Sequence, residues 1–61
     1  MAWLAVDKDG SEYTYKFKPT RGERDFRPIV PSSNYGMKLP KGSIEKTIGR
    51  KLTWDDEPVE I

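Results

Sequence analysis

Residues 39–61 read LPKGSIEKTIGRKLTWDDEPVEI, and their spacing decides the class of fold. Leu39-Pro40 ends an extended segment, because proline cannot donate to a strand ladder. Gly42-Ser43 opens a helix, with Ser43 as the predicted N-cap whose hydroxyl accepts from a free amide one turn in. Glu45 falls in the first turn, where the helix dipole favours a negative charge. Ile44 and Ile48 make one apolar stripe. Gly49 suits the left-handed position that closes a helix, and Arg50 and Lys51 sit at its negative end. The spacing predicts one short helix at about 43–49. So short a helix does not persist alone, so Ile44 and Ile48 are predicted to pack on a sheet. Beyond it, Leu52 and Trp54 share one face of a predicted last strand. Asp55-Asp56-Glu57 is an acidic turn, and Val59 and Ile61, after Pro58, add an edge segment.

Met37-Lys38-Leu39, just upstream, is extended. From Pro19 to Gly36 the chain is irregular: Pro28 and Pro31 argue against a central strand, and Pro31 to Gly36 is turn chemistry throughout. Phe26 to Val30 reads as an irregular or edge strand. At the N-terminal end, Trp3 to Val6 is a short apolar run with strand character. Asp9-Gly10 is a hairpin signal, since glycine takes positive φ at little cost. Residues 12–18 then alternate, with Tyr13, Tyr15 and Phe17 on one face and Glu12, Thr14, Lys16 and Lys18 on the other. The expected fold is α+β: a single small β-rich domain over 1–61, with an N-terminal hairpin, one or two further strands and the short helix. Its predicted core is Leu4, Val6, Tyr15, Phe17, Leu39, Ile44, Ile48, Leu52 and Trp54.

The composition narrows the chemistry. A chain of 61 residues buries only about 60% of its unfolded surface. There is no cysteine and no histidine, which removes disulfides, thiolate zinc sites and the commonest general base. Two tryptophans, three tyrosines and two phenylalanines supply bulk for a small core instead. The start, Met1 to Val6, lacks the basic region of a secretory signal, and no apolar run approaches the roughly 20 residues of a membrane span. These features predict a cytoplasmic protein that does not enter membranes.

The formal net charge of +1 conceals an uneven distribution. Residues 16–51 carry ten basic side chains against Glu23, Asp25 and Glu45, a net of +7, while residues 52–61 hold four acids and no base. Such polarity bears on partners and encounter rates rather than on fold.

Candidate chemical motifs are sparse. Asp55-Asp56-Glu57 lacks the alternate acids and the glycine of a calcium loop, so neither a metal nor an organic cofactor is expected. No serine or threonine has a histidine to activate it, and Ser43 is explained by capping. Lys38 to Ser43 lacks the spacing of a P-loop. The chain is therefore expected not to be an enzyme. Nucleic-acid binding is the rival reading: Lys16, Lys18, Arg21, Arg24, Arg27, Lys38 and Lys41 could track a phosphate backbone, with tyrosines to stack a base. Against it, an aromatic face opposite a charged face is the ordinary pattern of a sheet core, and the isoelectric point of about 8.0 is low for a dedicated module.

The run at 39–61, together with the opening WLAVDKDGSE at 3–12, resembles small uncharacterised proteins encoded by bacteriophages and prophages of gut bacteria. The resemblance covers about half of the chain, at its two ends, and brings no catalytic or binding residue to carry over to this sequence. It implies a viral or mobile-element setting, in which proteins of this size often bind and block a host protein. The expected function is a non-enzymatic protein-binding module, in that setting an inhibitor of a host protein, with a small nucleic-acid-binding domain as the alternative. The expected contacts are Arg21, Arg24, Phe26, Arg27 and Tyr35, with arginine for bidentate pairing and the aromatics as anchors. The +7 middle predicts a partner with an acidic surface. Equally open is the plainer reading, in which Phe26 fills the core and the arginines are solvated.

Overall fold

The computed structural model describes residues 2–28 and 36–61. Strand β1 (Trp3–Val6) pairs antiparallel with β2 (Glu12–Tyr15), placing Val6 opposite Glu12 and Trp3 opposite Tyr15. The turn between them is the one that Asp9-Gly10 encodes. Gly10 sits at φ 91° and donates to the Asp7 carbonyl at 2.9 Å, and the Asp7 amide donates to Ser11 at 2.9 Å. After β2 come β3 (Thr20–Arg21), β4 (Phe26–Arg27), β5 (Met37–Leu39), helix α1 (Ser43–Ile48) and β6 (Val59–Glu60).

Four strands form an antiparallel sheet in the order β5-β2-β1-β6, and β3 and β4 form a separate two-stranded ribbon. Among the described residues the architecture is mostly β, with one short helix, and it has four strands beyond the hairpin where one or two were expected. Among the described residues no helix is long and apolar enough to cross a membrane.

Strand β1 explains why its four residues are all apolar: it is covered on both faces. On one face Leu4 and Val6 pack with Ile44 and Leu52, joined by Leu39, Ile48 and Val59. On the other, Ala5 packs with Tyr15 and Phe26, and Trp3, Tyr13 and Trp54 close around them. The sheet thus separates a helix-side core from a ribbon-side core. The alternation in β2 is real, but its polar face does not point to open solvent. Glu12 lies on the helix side, where its carboxylate accepts from the amides of Gly42 at 2.7 Å and Ile44 at 2.9 Å.

Several expectations change. The N-cap is Gly42, in the left-handed region at φ 92°, and the Ser43 hydroxyl donates back to the Pro40 carbonyl at 2.7 Å instead of capping. Glu12 takes over the role expected of Ser43. The other end follows the composition: Gly49 adopts φ 79° and its amide donates to Glu45. Strand β2 stops at Tyr15, so Phe17 leaves the alternation and is 48% exposed, outside the core predicted for it. Leu52 and Trp54 do not form a strand. They reach opposite faces of the sheet, and the closing strand is β6, beside β1. Gly36 is a close-approach residue: a Cβ there would come within 2.6 Å of the Tyr15 ring.

Candidate binding surface

Of the sequence-predicted contacts, Arg21, Phe26 and Arg27 lie in the ribbon and Arg24 in the turn that joins its strands. Its strands are two residues each, with Thr20 opposite Arg27 and Arg21 opposite Phe26. A ribbon this short has no stability of its own and must be held by the rest of the molecule.

Phe26 is one anchor. It is only 4% exposed, within the ribbon-side core. Its amide donates to the Asp7 carboxylate at 3.1 Å, and its carbonyl accepts from the Tyr15 hydroxyl at 3.1 Å. Its ring meets Trp54 edge-on at 5.3 Å, a favourable aromatic geometry. As a partner-facing anchor Phe26 is therefore corrected: small cores recruit the large aromatics available to them, and this one is already in use.

Arg21 is the second anchor. Its guanidinium lies 4.8 Å from the Phe26 ring centre and 4.5 Å from that of Trp54. One nitrogen donates to the Trp54 carbonyl, and the other donates to the Asp56 carbonyl at 2.9 Å and meets the Glu57 carboxylate at 3.4 Å. A guanidinium close to two aromatic rings combined with forked donation is what arginine offers and lysine does not. Arg21, too, is committed to the fold.

Arg24 and Arg27 remain outward. Arg24 is exposed in the turn, and its carbonyl accepts from the Lys8 amide at 3.0 Å, which fastens the ribbon tip to the hairpin turn. The Arg27 Nε lies 3.2 Å from Asp25, with side chains 71% and 49% exposed, so this pair contributes at most about 1 kcal/mol. Tyr35 lies outside the described residues.

Of the depressions that border the hairpin turn, two are the larger. One, of about 390 Å³, is bounded by Asp7, Lys8, Asp9, Arg24 and Asp25. The other, of about 570 Å³, has Val6, Ile44 and Leu52 as its floor and a rim of both charge signs. Within the first, burial pushes the Asp7 carboxyl above the ordinary range, only partly offset by the Phe26 amide. Asp9 is held below that range by the Ser11 amide. In the acidic turn, Asp56 accepts from the Thr53 amide at 2.9 Å, which lowers its pKa. Among the described residues no three potential ligands gather as a metal centre requires.

Where the alternation ends, the lysines turn back over aromatic rings. Lys16 Nζ is 5.6 Å from the Phe17 ring centre, and Lys18 Nζ is 5.7 Å from that of Trp3. The separation of lysines from aromatics that an unbroken strand implies therefore fails at this end of the sheet.

Sequence reasoning missed Asp7, Glu12 and Trp54 as partners of the ribbon and helix. Their contacts join segments from 19 to 33 residues apart, and no local spacing signals them. No protein-family model, curated protein or solved structure matches the chain.

Proposed function

We propose that the chain is a non-enzymatic protein-binding module that meets its partner through the outward side of the β3–β4 ribbon. The observation that carries this reading is the division of labour among the ribbon arginines. Arg21 and Phe26 fasten the ribbon, whereas Arg24 and Arg27 stand exposed on the base so formed. Pre-ordering a contact segment lowers the entropy lost on binding. The net +7 of residues 16–51 favours a partner with an acidic surface through faster encounter. The non-enzymatic reading rests on the absence of histidine and cysteine from the sequence. The resemblance of the two ends to phage-encoded proteins makes a cytoplasmic host protein the intended partner, and inhibition the intended outcome.

The test changes Arg24, Arg27 and Tyr35 together to alanine and verifies that the thermal midpoint is kept. Loss of partners captured from host lysate supports the reading. Capture of the same partners at undiminished yield rejects it.

The lysine–aromatic contacts at Phe17 and Trp3 favour a second reading, in which this end of the sheet binds single-stranded nucleic acid. Titration of a labelled oligonucleotide at increasing salt separates the two. A nucleic-acid module binds it and loses affinity steeply as salt rises, because counterions are released. A protein-binding module shows no such saturable binding.

A further inference from the structure

We infer that Arg21 is a latch that makes the ribbon and the 54–57 turn one conformational unit, able to loosen while the four-stranded sheet stays intact. The inference rests on the geometry of the latch. Its application to binding rests on the reading of the ribbon as a contact surface.

The two ribbon strands are secured in different ways. Strand β4 is tied to the sheet through Phe26, whose amide and carbonyl engage Asp7 and Tyr15. Strand β3 is paired to β4 and is fixed at its far side by Arg21, which reaches the carbonyls of Trp54 and Asp56 across 33 and 35 residues of chain. The same guanidinium lies against Phe26 and Trp54, whose rings touch edge-on. Beside that ring contact, the Arg21 side chain supplies the hydrogen bonds that bridge ribbon and turn. The Thr53–Asp56 bonds shape the turn internally but do not reach the ribbon. A partner that presses on Arg24 or Arg27 would thereby act on residues 54–57 as well.

The test is amide hydrogen exchange on Arg21→Lys and Arg21→Gln. Lysine keeps the charge and most of the stem but loses the planar fork, and glutamine keeps a planar donor without the charge. The latch predicts exchange about tenfold faster at residues 20–27 and 54–57 in Arg21→Lys, with residues 3–6 and 12–15 unchanged. Arg21→Gln should show the same two segments loosening together. Unchanged exchange in either segment, or loosening of one without the other, overturns the latch. A variant that unfolds throughout also overturns it, since the sheet is then not independent of the ribbon. Partner capture by the same variants is read separately. Loosened segments with undiminished capture leave the latch standing and reject the ribbon as the contact surface.

Discussion

The Glu12 carboxylate caps a helix whose N-cap, Gly42, lies 30 residues later: one oxygen accepts from Gly42 at 2.7 Å and the other, at 2.9 Å, from Ile44. A helix leaves its first amides without internal partners, and a carboxylate there meets both the hydrogen-bonding need and the dipole. Glu12→Ala should destabilise the fold by about 1–3 kcal/mol, because two partly buried amides lose a charged acceptor. Urea denaturation checks this. A variant with the parental midpoint would remove Glu12 from the account of the helix.

Ile44 should outweigh Ile48. The former is 1% exposed within the helix-side core, whereas Ile48 is half-buried at its margin. Ile44→Ala is expected to cost about 2–5 kcal/mol, enough to unfold much of a chain this small. Ile48→Ala should cost less. Comparing the two thermal midpoints tests the order, and equal losses would mean that the helix packs differently.

Asp7 and Asp56 should respond to pH with opposite signs. Burial raises the Asp7 pKa in the fold, so its stabilising share is present in acid, below the ordinary carboxyl value, and is lost as pH rises through the raised value. Asp7→Asn keeps an oxygen for the Phe26 amide and sheds the charge. It should match the parent in acid and equal or exceed it in stability at neutral pH. Asp7→Ala lacks the acceptor and should be less stable, by about 1 kcal/mol. For Asp56 the amide of Thr53 lowers the pKa, so its share is present above the ordinary value and is lost as pH falls through the lowered one. Asp56→Ala should be less stable than the parent at neutral pH and converge with it in acid. Denaturation curves across the acid range check both slopes.

Tyr15 should titrate late. Burial pushes its phenol up to about 12 from the ordinary 10.0, so the neutral form is favoured in the fold. This share of stability is complete below about 10 and is lost as pH rises through the folded value. Ultraviolet absorbance of tyrosinate should show a delayed phenol that disappears in Tyr15→Phe. An unchanged titration curve in that variant would refute the assignment.

Much of the sheet was legible from residue order. Asp9-Gly10 marked the hairpin, and the uninterrupted apolar run Trp3 to Val6 marked a strand. What the run also encoded, burial on both faces, is visible only once a second layer exists to cover the far side. That layer is the ribbon, built from Thr20, Arg21, Phe26 and Arg27, which carry neither length nor alternation enough to announce strands. The reading of Phe17 failed because period-two alternation was extended past Tyr15, where the pairing with β1 ends. Of the expected contacts, the number and exposure of the arginines were legible, but the division between Arg21 and its two neighbours was not. It depends on Trp54, which reaches the ribbon only after the chain has rounded the helix.

The reach of Glu12 to Gly42 also orders events in time. A helix of six residues gains too little from its own hydrogen bonds to nucleate, and here its cap belongs to the hairpin. The hairpin closes a short loop quickly, whereas docking the helix must first overcome the closure of a long one. Hairpin formation should therefore precede the helix along the folding route. Stopped-flow measurements on Ile44→Ala would then show most of its effect as faster unfolding and little as slower refolding, whereas Ala5→Gly, in the hairpin, should slow refolding.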